Sequence, residues 1–141
     1  MRDSSREFGL KNGHSPLAEK VVLVDFDGTI FPFGELWSMD PPMPGAKKVL
    51  DYLHEHGWTI KIFSSRLSLL WCQTEGESMR KHAEYMSNRL EMHNIHYSCF
   101  SIDKDPAEYY IDDKAIPFNG NWDLVLDQIK WDQSRKDRNG R

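Results

Sequence analysis

Short apolar runs alternate with amphipathic stretches from residue 21 onward. Val21-Val22-Leu23-Val24 is an unbroken run rich in β-branched residues, which predicts a strand buried on both faces. Trp58-Thr59-Ile60-Lys61-Ile62-Phe63 predicts a second strand, Tyr97 to Ile102 a third and Glu108 to Ile111 a fourth. Between the first two, Ala46, Val49, Leu50 and Leu53 recur at helical spacing. Pro44 opens that helix where a missing N–H costs nothing, and Gly57 closes it. Met79, Ala83, Met86 and Leu90 form the stripe of a second helix. Trp122, Val125, Leu126 and Ile129 form that of a third, with Asn121 as its N-cap. The order strand, helix, strand, helix, strand, strand, helix predicts an α/β domain, doubly wound around a mainly parallel sheet.

Residues 1–20 lack periodicity and read as a loose arm, 21–131 as one domain and 132–141 as a basic tail. The stretch from Gly28 to Gly45 holds Pro32, Pro41, Pro42 and Pro44, so it is not one helix; it has room for a small hairpin around Phe33-Gly34.

A chain of 141 residues is the length of a single domain, and its 39% hydrophobic and 28% charged residues are an ordinary globular mix. No run approaches the roughly 18 apolar residues of a membrane span, and Met1 to Lys20 carry no signal-like apolar core. The expectation is a cytoplasmic protein with no membrane partner. Cys72 and Cys99 make no disulfide framework and read as free, buried thiols. The net charge of −4 argues against holding nucleic acid by charge alone. It is unevenly spread: Lys130 to Arg141 carry +3, leaving −7 on the rest.

In parallel sheets ligands bind beyond the carboxyl ends of the strands, so the residues leaving each strand matter most. The first predicted strand ends in Asp25-Phe26-Asp27-Gly28-Thr29, the second in Ser64-Ser65-Arg66 and the fourth in Asp112-Asp113, with Lys104 in the loop before it. Four carboxylates converging on one edge repel each other unless a cation sits among them. Hard oxygen donors without histidine or thiol favour Mg²⁺, which also takes phosphate oxygens.

These residues also resemble a family. Asp25-Phe26-Asp27-Gly28-Thr29 matches the DxDG[ST] nucleophile motif of the haloacid dehalogenase superfamily, and Ser64, Lys104 and Asp112-Asp113 follow in that superfamily's order. The resemblance spans about residues 21 to 130. It implies that Asp25 is a nucleophile taking a phosphoryl group as an aspartyl-phosphate, a covalent step that splits one hard displacement into two. It implies that Asp27 is the general acid and base, with a pKa raised by neighbouring carboxylates. Ser64 would contact a phosphoryl oxygen and Lys104 would neutralise it. Gly28 allows the tight exit from the strand, and Thr29 orients the carboxylates. Mg²⁺ would be held by Asp25, the backbone carbonyl of Asp27, and Asp112, with Asp113 beside it holding a bound water or Lys104.

Strand alternation leaves Ser64 or Ser65 open as the phosphate contact. Lys114 and Lys61 compete with Lys104; Lys61 lies mid-strand, which suits a sheet edge or a solvent-facing position. Arg66 reads as a second phosphate contact or a solvated loop residue. The aromatics from Phe31 to Trp37 suit either a base or sugar or packing over the sheet edge. The histidines carry no metal signal: His54 and His56 point to different faces, and His82 and His93 lie roughly 16 Å apart.

A receiver domain is excluded by motif order, since its acidic pair follows the first strand. A non-catalytic phosphoryl-binding protein is the other class to weigh. Neither interval between motifs holds a cap domain, so the site should be open, shielded by the Ile30 to Met43 flap, the Leu67 to Glu75 loop or a second subunit of a homo-oligomer. The expected substrate is a small phosphorylated metabolite, a nucleotide or sugar phosphate, with a polynucleotide end as the alternative.

Overall fold

Strand β1, Val21–Asp25, takes the sheet interior because its apolar run tolerates burial on both faces. It pairs in parallel with β2, Thr59–Phe63, on one side and with β4, Tyr109–Ile111, on the other; β3, Cys99–Ser101, lies outside β2. The sheet order is β3-β2-β1-β4, all parallel. The computed structural model from which these elements come describes residues 16–68 and 78–138.

Helices α1, Ala46–Glu55, and α2, Met79–Met92, follow β1 and β2. Both crossovers step the same way along the sheet, so right-handed connections put both helices on one face. Lys47 Nζ at the start of α1 donates to the carbonyl of Asn94 beyond α2 (3.2 Å), and His54 stacks on His96 with ring centres 3.9 Å apart. The core lies under these helices: Val22, Val24, Ile60 and Ile62 pack with Leu50, Met86 and Leu90. After β3 the chain returns to the far side of β1. The strand order therefore reverses between β1 and β4, where ligands of doubly wound sheets bind.

Helix α1 begins at Ala46 after a left-handed Gly45, not at Pro44, while the caps expected at Gly57 and Asn121 form. Gly57 adopts φ 80°, and the N–H of Trp58 reaches the carbonyl of Leu53 (3.0 Å), ending α1 in a left-handed turn. The Asn121 side chain accepts from the N–H of Asp123 (3.0 Å) at the start of α3, Trp122–Arg138.

Several expectations change. The third and fourth strands, both at sheet edges, are shorter than expected, Cys99–Ser101 against 97–102 and Tyr109–Ile111 against 108–111. No hairpin forms at Phe33-Gly34. The chain instead turns at once on leaving β1, with Gly28 N–H donating to Phe31 O (2.7 Å) and Phe31 N–H to Phe26 O (3.1 Å). Lys61 is at no sheet edge: it lies on interior strand β2 and pairs with Asp105 at 3.0 Å. Cys99 is exposed rather than buried; Cys72 lies outside the described residues. The arm is partly built in, since Pro16–Ala18 form a 3₁₀ turn whose Ala18 is buried. The basic tail begins inside α3, which runs on to Arg138.

The apolar stripe of α3 stays largely outside the core, with Trp122 72% exposed, and the helix stands off the segment Ala115 to Pro117. Among the described residues, β1 and β2 are separated only by a flap and α1, and β2 and β3 only by the 3₁₀ turn Ser65–Leu67 and α2; these hold no cap domain. Part of the Leu67 to Glu75 loop falls outside the described residues. No described helix is long and apolar enough to cross a membrane.

Candidate active site at the exits of β1 and β4

Parallel pairing of β1 with β4 brings Asp25, the last residue of β1, beside Asp112 and Asp113, which leave β4. One carboxylate oxygen from each of the three lies within 4.8 Å of the others. Thr29 ties the two exits together: its hydroxyl donates to Asp25 Oδ2 (3.2 Å) and accepts the backbone N–H of Asp113 (3.1 Å). Asp112 Oδ1 accepts the N–H of Lys114 (2.8 Å), turning the chain sharply after the pair.

Gly28 makes the approach of Asp113 feasible. Its φ of 82° lies in the left-handed region, and a Cβ there would sit 2.6 Å from Asp113 Oδ2 and 2.4 Å from the Phe33 ring. The Asp25 carboxyl is pushed up to about 7 by burial first, then by its hydrogen bond with Asp113 and the charges of Asp112 and Asp113; the Thr29 hydroxyl opposes this. A carboxylate so destabilised by its neighbours, among hard oxygens alone, fits a divalent cation such as Mg²⁺.

A cavity of about 140 Å³ opens over Asp25, lined also by Asp27, Phe33, Phe63, Ser65, Asp112 and Lys114. The lysine and serine on this wall are therefore Lys114 and Ser65. Lys104 is not among the lining residues and lies over the Tyr110 ring at 4.6 Å. Ser64 is buried, and its hydroxyl accepts the N–H of Arg66 (3.1 Å), capping the 3₁₀ turn. Alternation at the end of β2 separates the two serines, and the turn takes Ser64.

Asp27 lines the same cavity but stands apart from the carboxylate trio. Both its oxygens accept from Arg66: Nε to Oδ2 at 2.7 Å and Nη2 to Oδ1 at 3.0 Å. Arg66 is 4% exposed, neither a solvated loop residue nor an open phosphate contact. Its guanidinium centre lies 4.7 Å from the Tyr85 ring centre and 5.8 Å from those of Phe26 and Trp37. Burial pushes the Tyr85 phenol up. The flap aromatics thus divide. Phe31 is buried, and Trp37 stacks on the buried His82 (4.8 Å), while Phe33 stays 60% exposed at the cavity mouth with Lys114 Nζ 5.3 Å from its ring centre. The sequence pattern gave no sign of Tyr85 or of the pairing of Asp27 with Arg66, and it left Phe33 among aromatics suited to either a ligand or packing. Lys114 had a signal, its position directly after the acidic pair.

No family model and no curated protein matches the chain. Among solved structures, a conserved protein from Bacteroides thetaiotaomicron aligns with 79% of this chain and 90% of its own, at 19% identity and a TM-score of 0.46. A likeness of that degree carries nothing about function.

Proposed function

We propose that the chain is a Mg²⁺-dependent phosphomonoester hydrolase of the haloacid dehalogenase type, with Asp25 as nucleophile. The observation that carries the reading is the carboxylate of Asp25 at the end of an interior parallel strand, within reach of those of Asp112 and Asp113 and on the wall of a cavity that also holds Asp112, Ser65 and Lys114.

In this reading an Asp25 oxygen attacks phosphorus and the bond from phosphorus to the ester oxygen breaks, leaving an aspartyl-phosphate. Asp27 gives the departing alkoxide a proton, then takes one from the water that attacks the aspartyl-phosphate and releases inorganic phosphate. Each Asp27 oxygen accepts one bond from Arg66 and keeps a further lone pair, at which the proton can be carried while the fork holds the carboxyl in place. Ser65 and Lys114 take the roles of phosphoryl-oxygen donor and charge partner that the resemblance gave Ser64 and Lys104. Asp25, Asp112 and Asp113 would hold Mg²⁺, which when bound offsets the charge of the phosphoryl group and of these carboxylates.

The substrate class that suits an uncapped cavity of this size is a small phosphorylated metabolite. A cytoplasmic setting agrees with the exposed free thiol of Cys99. The test is phosphate release from an aryl phosphate with and without Mg²⁺. Release should require the cation and vanish in Asp25→Asn. Full activity in that variant overturns the nucleophile assignment.

A further inference from the structure

A larger depression adjoins the carboxylate site. Asp113 of the trio and Lys114 of the Asp25 cavity also line a groove of about 810 Å³ between the β4 exit and α3. The groove passes the apolar stretch Ala115, Ile116 and Pro117 and is closed on the far side by α3, which contributes Arg135 and Lys136. It has the size of an ordinary small-molecule site and adjoins the Asp25 cavity at Lys114, which lines both.

From the hydrolase reading above, on which this rests, we infer that the groove takes the leaving group, and that the preferred substrate carries a second anionic group, a phosphate, distal to the scissile one. The charges support this. Lys114, Arg135 and Lys136 face the groove against Asp113 and Asp132, and Asp113 already belongs to the cation cluster at the other end. The far end is thus cationic on a chain whose net charge is −4. Arg135 is braced, with its guanidinium centre 4.6 Å from the Trp131 ring centre, so its planar fork is held to one side of α3. An apolar floor with cations beyond it fits a phosphomonoester whose organic body bears another phosphate. Both a nucleoside bisphosphate and a 5′-phosphorylated nucleic-acid end have that chemistry.

The experiment compares kcat/KM for 1,6-hexanediol bisphosphate and for hexyl phosphate, with Mg²⁺, in the wild type and in the double variant Arg135→Glu, Lys136→Glu. The wild type should favour the bisphosphate by roughly tenfold beyond the factor of about two that its equivalent ends give, the worth of one charge-assisted contact, and the ratio should fall to about two in the variant. A structural fault in the variant would lower both rates alike and leave the ratio intact. A wild-type ratio near two, the statistical value for a substrate with two equivalent ends, or an unchanged ratio in the variant, overturns the inference. Failure of the wild type to release phosphate from either compound instead overturns the hydrolase reading. Adenosine 3′,5′-bisphosphate and a 5′-phosphorylated tetranucleotide, assayed side by side, separate the two sources by which has the higher kcat/KM.

Discussion

Arg66 and Asp27 meet across 39 positions of chain, and their fork joins the exit of β1 to the exit of β2 under a lid of aromatic rings. The two partners are unequally placed, since the Arg66 side chain is 4% exposed and that of Asp27 24%. Asp27→Ala leaves a guanidinium buried among Phe26, Trp37 and Tyr85 without this carboxylate, whereas Arg66→Met leaves a carboxylate that water can reach. Denaturant unfolding should therefore show the aspartate variant to be the less stable, by a margin within the roughly 3 kcal/mol seen when a buried pair is broken. Equal losses would mean the pair is effectively solvated. Gly28→Ala is a second test at this scale. The left-handed φ alone should cost about 1–2 kcal/mol, and the new Cβ must displace Asp113 or Phe33. The variant should be less stable and, if the proposed Mg²⁺ site holds, should lose most of the thermal stabilisation expected of Mg²⁺ on the wild type.

Helices α2 and α3 differ in how far each uses its apolar stripe. In α2 the stripe is buried where it matters: Met86 and Leu90 are fully enclosed, with His82 and Arg89 beside them. In α3 the stripe is largely exposed, with Leu126 48% exposed. Leu90→Ala should destabilise by about 3 kcal/mol, as a fully buried leucine does when a cavity is left. Leu126→Ala should stay within about 0.5 kcal/mol. Paired urea titrations check both, and a large loss for Leu126 would show that α3 packs more closely in solution. The same stand-off keeps open the groove through which Arg135 and Lys136 face the β4 exit.

For the molecule as a whole, the raised Asp25 carboxyl links stability to pH and to cations. Its folded value of about 7 lies above the ordinary 3.8, so between those values the folded chain holds a proton that the unfolded chain gives up. This group's contribution is therefore full below about pH 4 and is lost as pH rises through about 7. On the proposed reading, a divalent cation would bind the deprotonated form and reverse that loss. The rise in Tm with Mg²⁺ should be small at pH 5 and larger at pH 8, as read by a thermal melt at fixed ionic strength. An equal rise at both values would place the cation elsewhere.

The helix stripes, the caps at Gly57 and Asn121 and the parallel α/β order were legible because periodicity and capping are local properties of the chain. So was the grouping of Asp25 with Asp112 and Asp113, since a parallel sheet brings the residues leaving its strands to one edge. Whether Ser64 or Ser65 and Lys104 or Lys114 face Asp25 was not legible. That choice depends on which hydroxyl caps the turn after β2, and on Lys104 lying over Tyr110, both set by packing between distant segments. Nor does any local pattern announce that Arg66, next to two serines in a loop, folds inward to hold Asp27 from inside an aromatic cage. Sequence by itself determined the elements, their order and the carboxylates at the sheet edge, because each follows from spacing along one segment. Tertiary structure alone decided which cation and which hydroxyl share the cavity, how Asp27 is held and where α3 stands, because these depend on contacts between segments tens of residues apart.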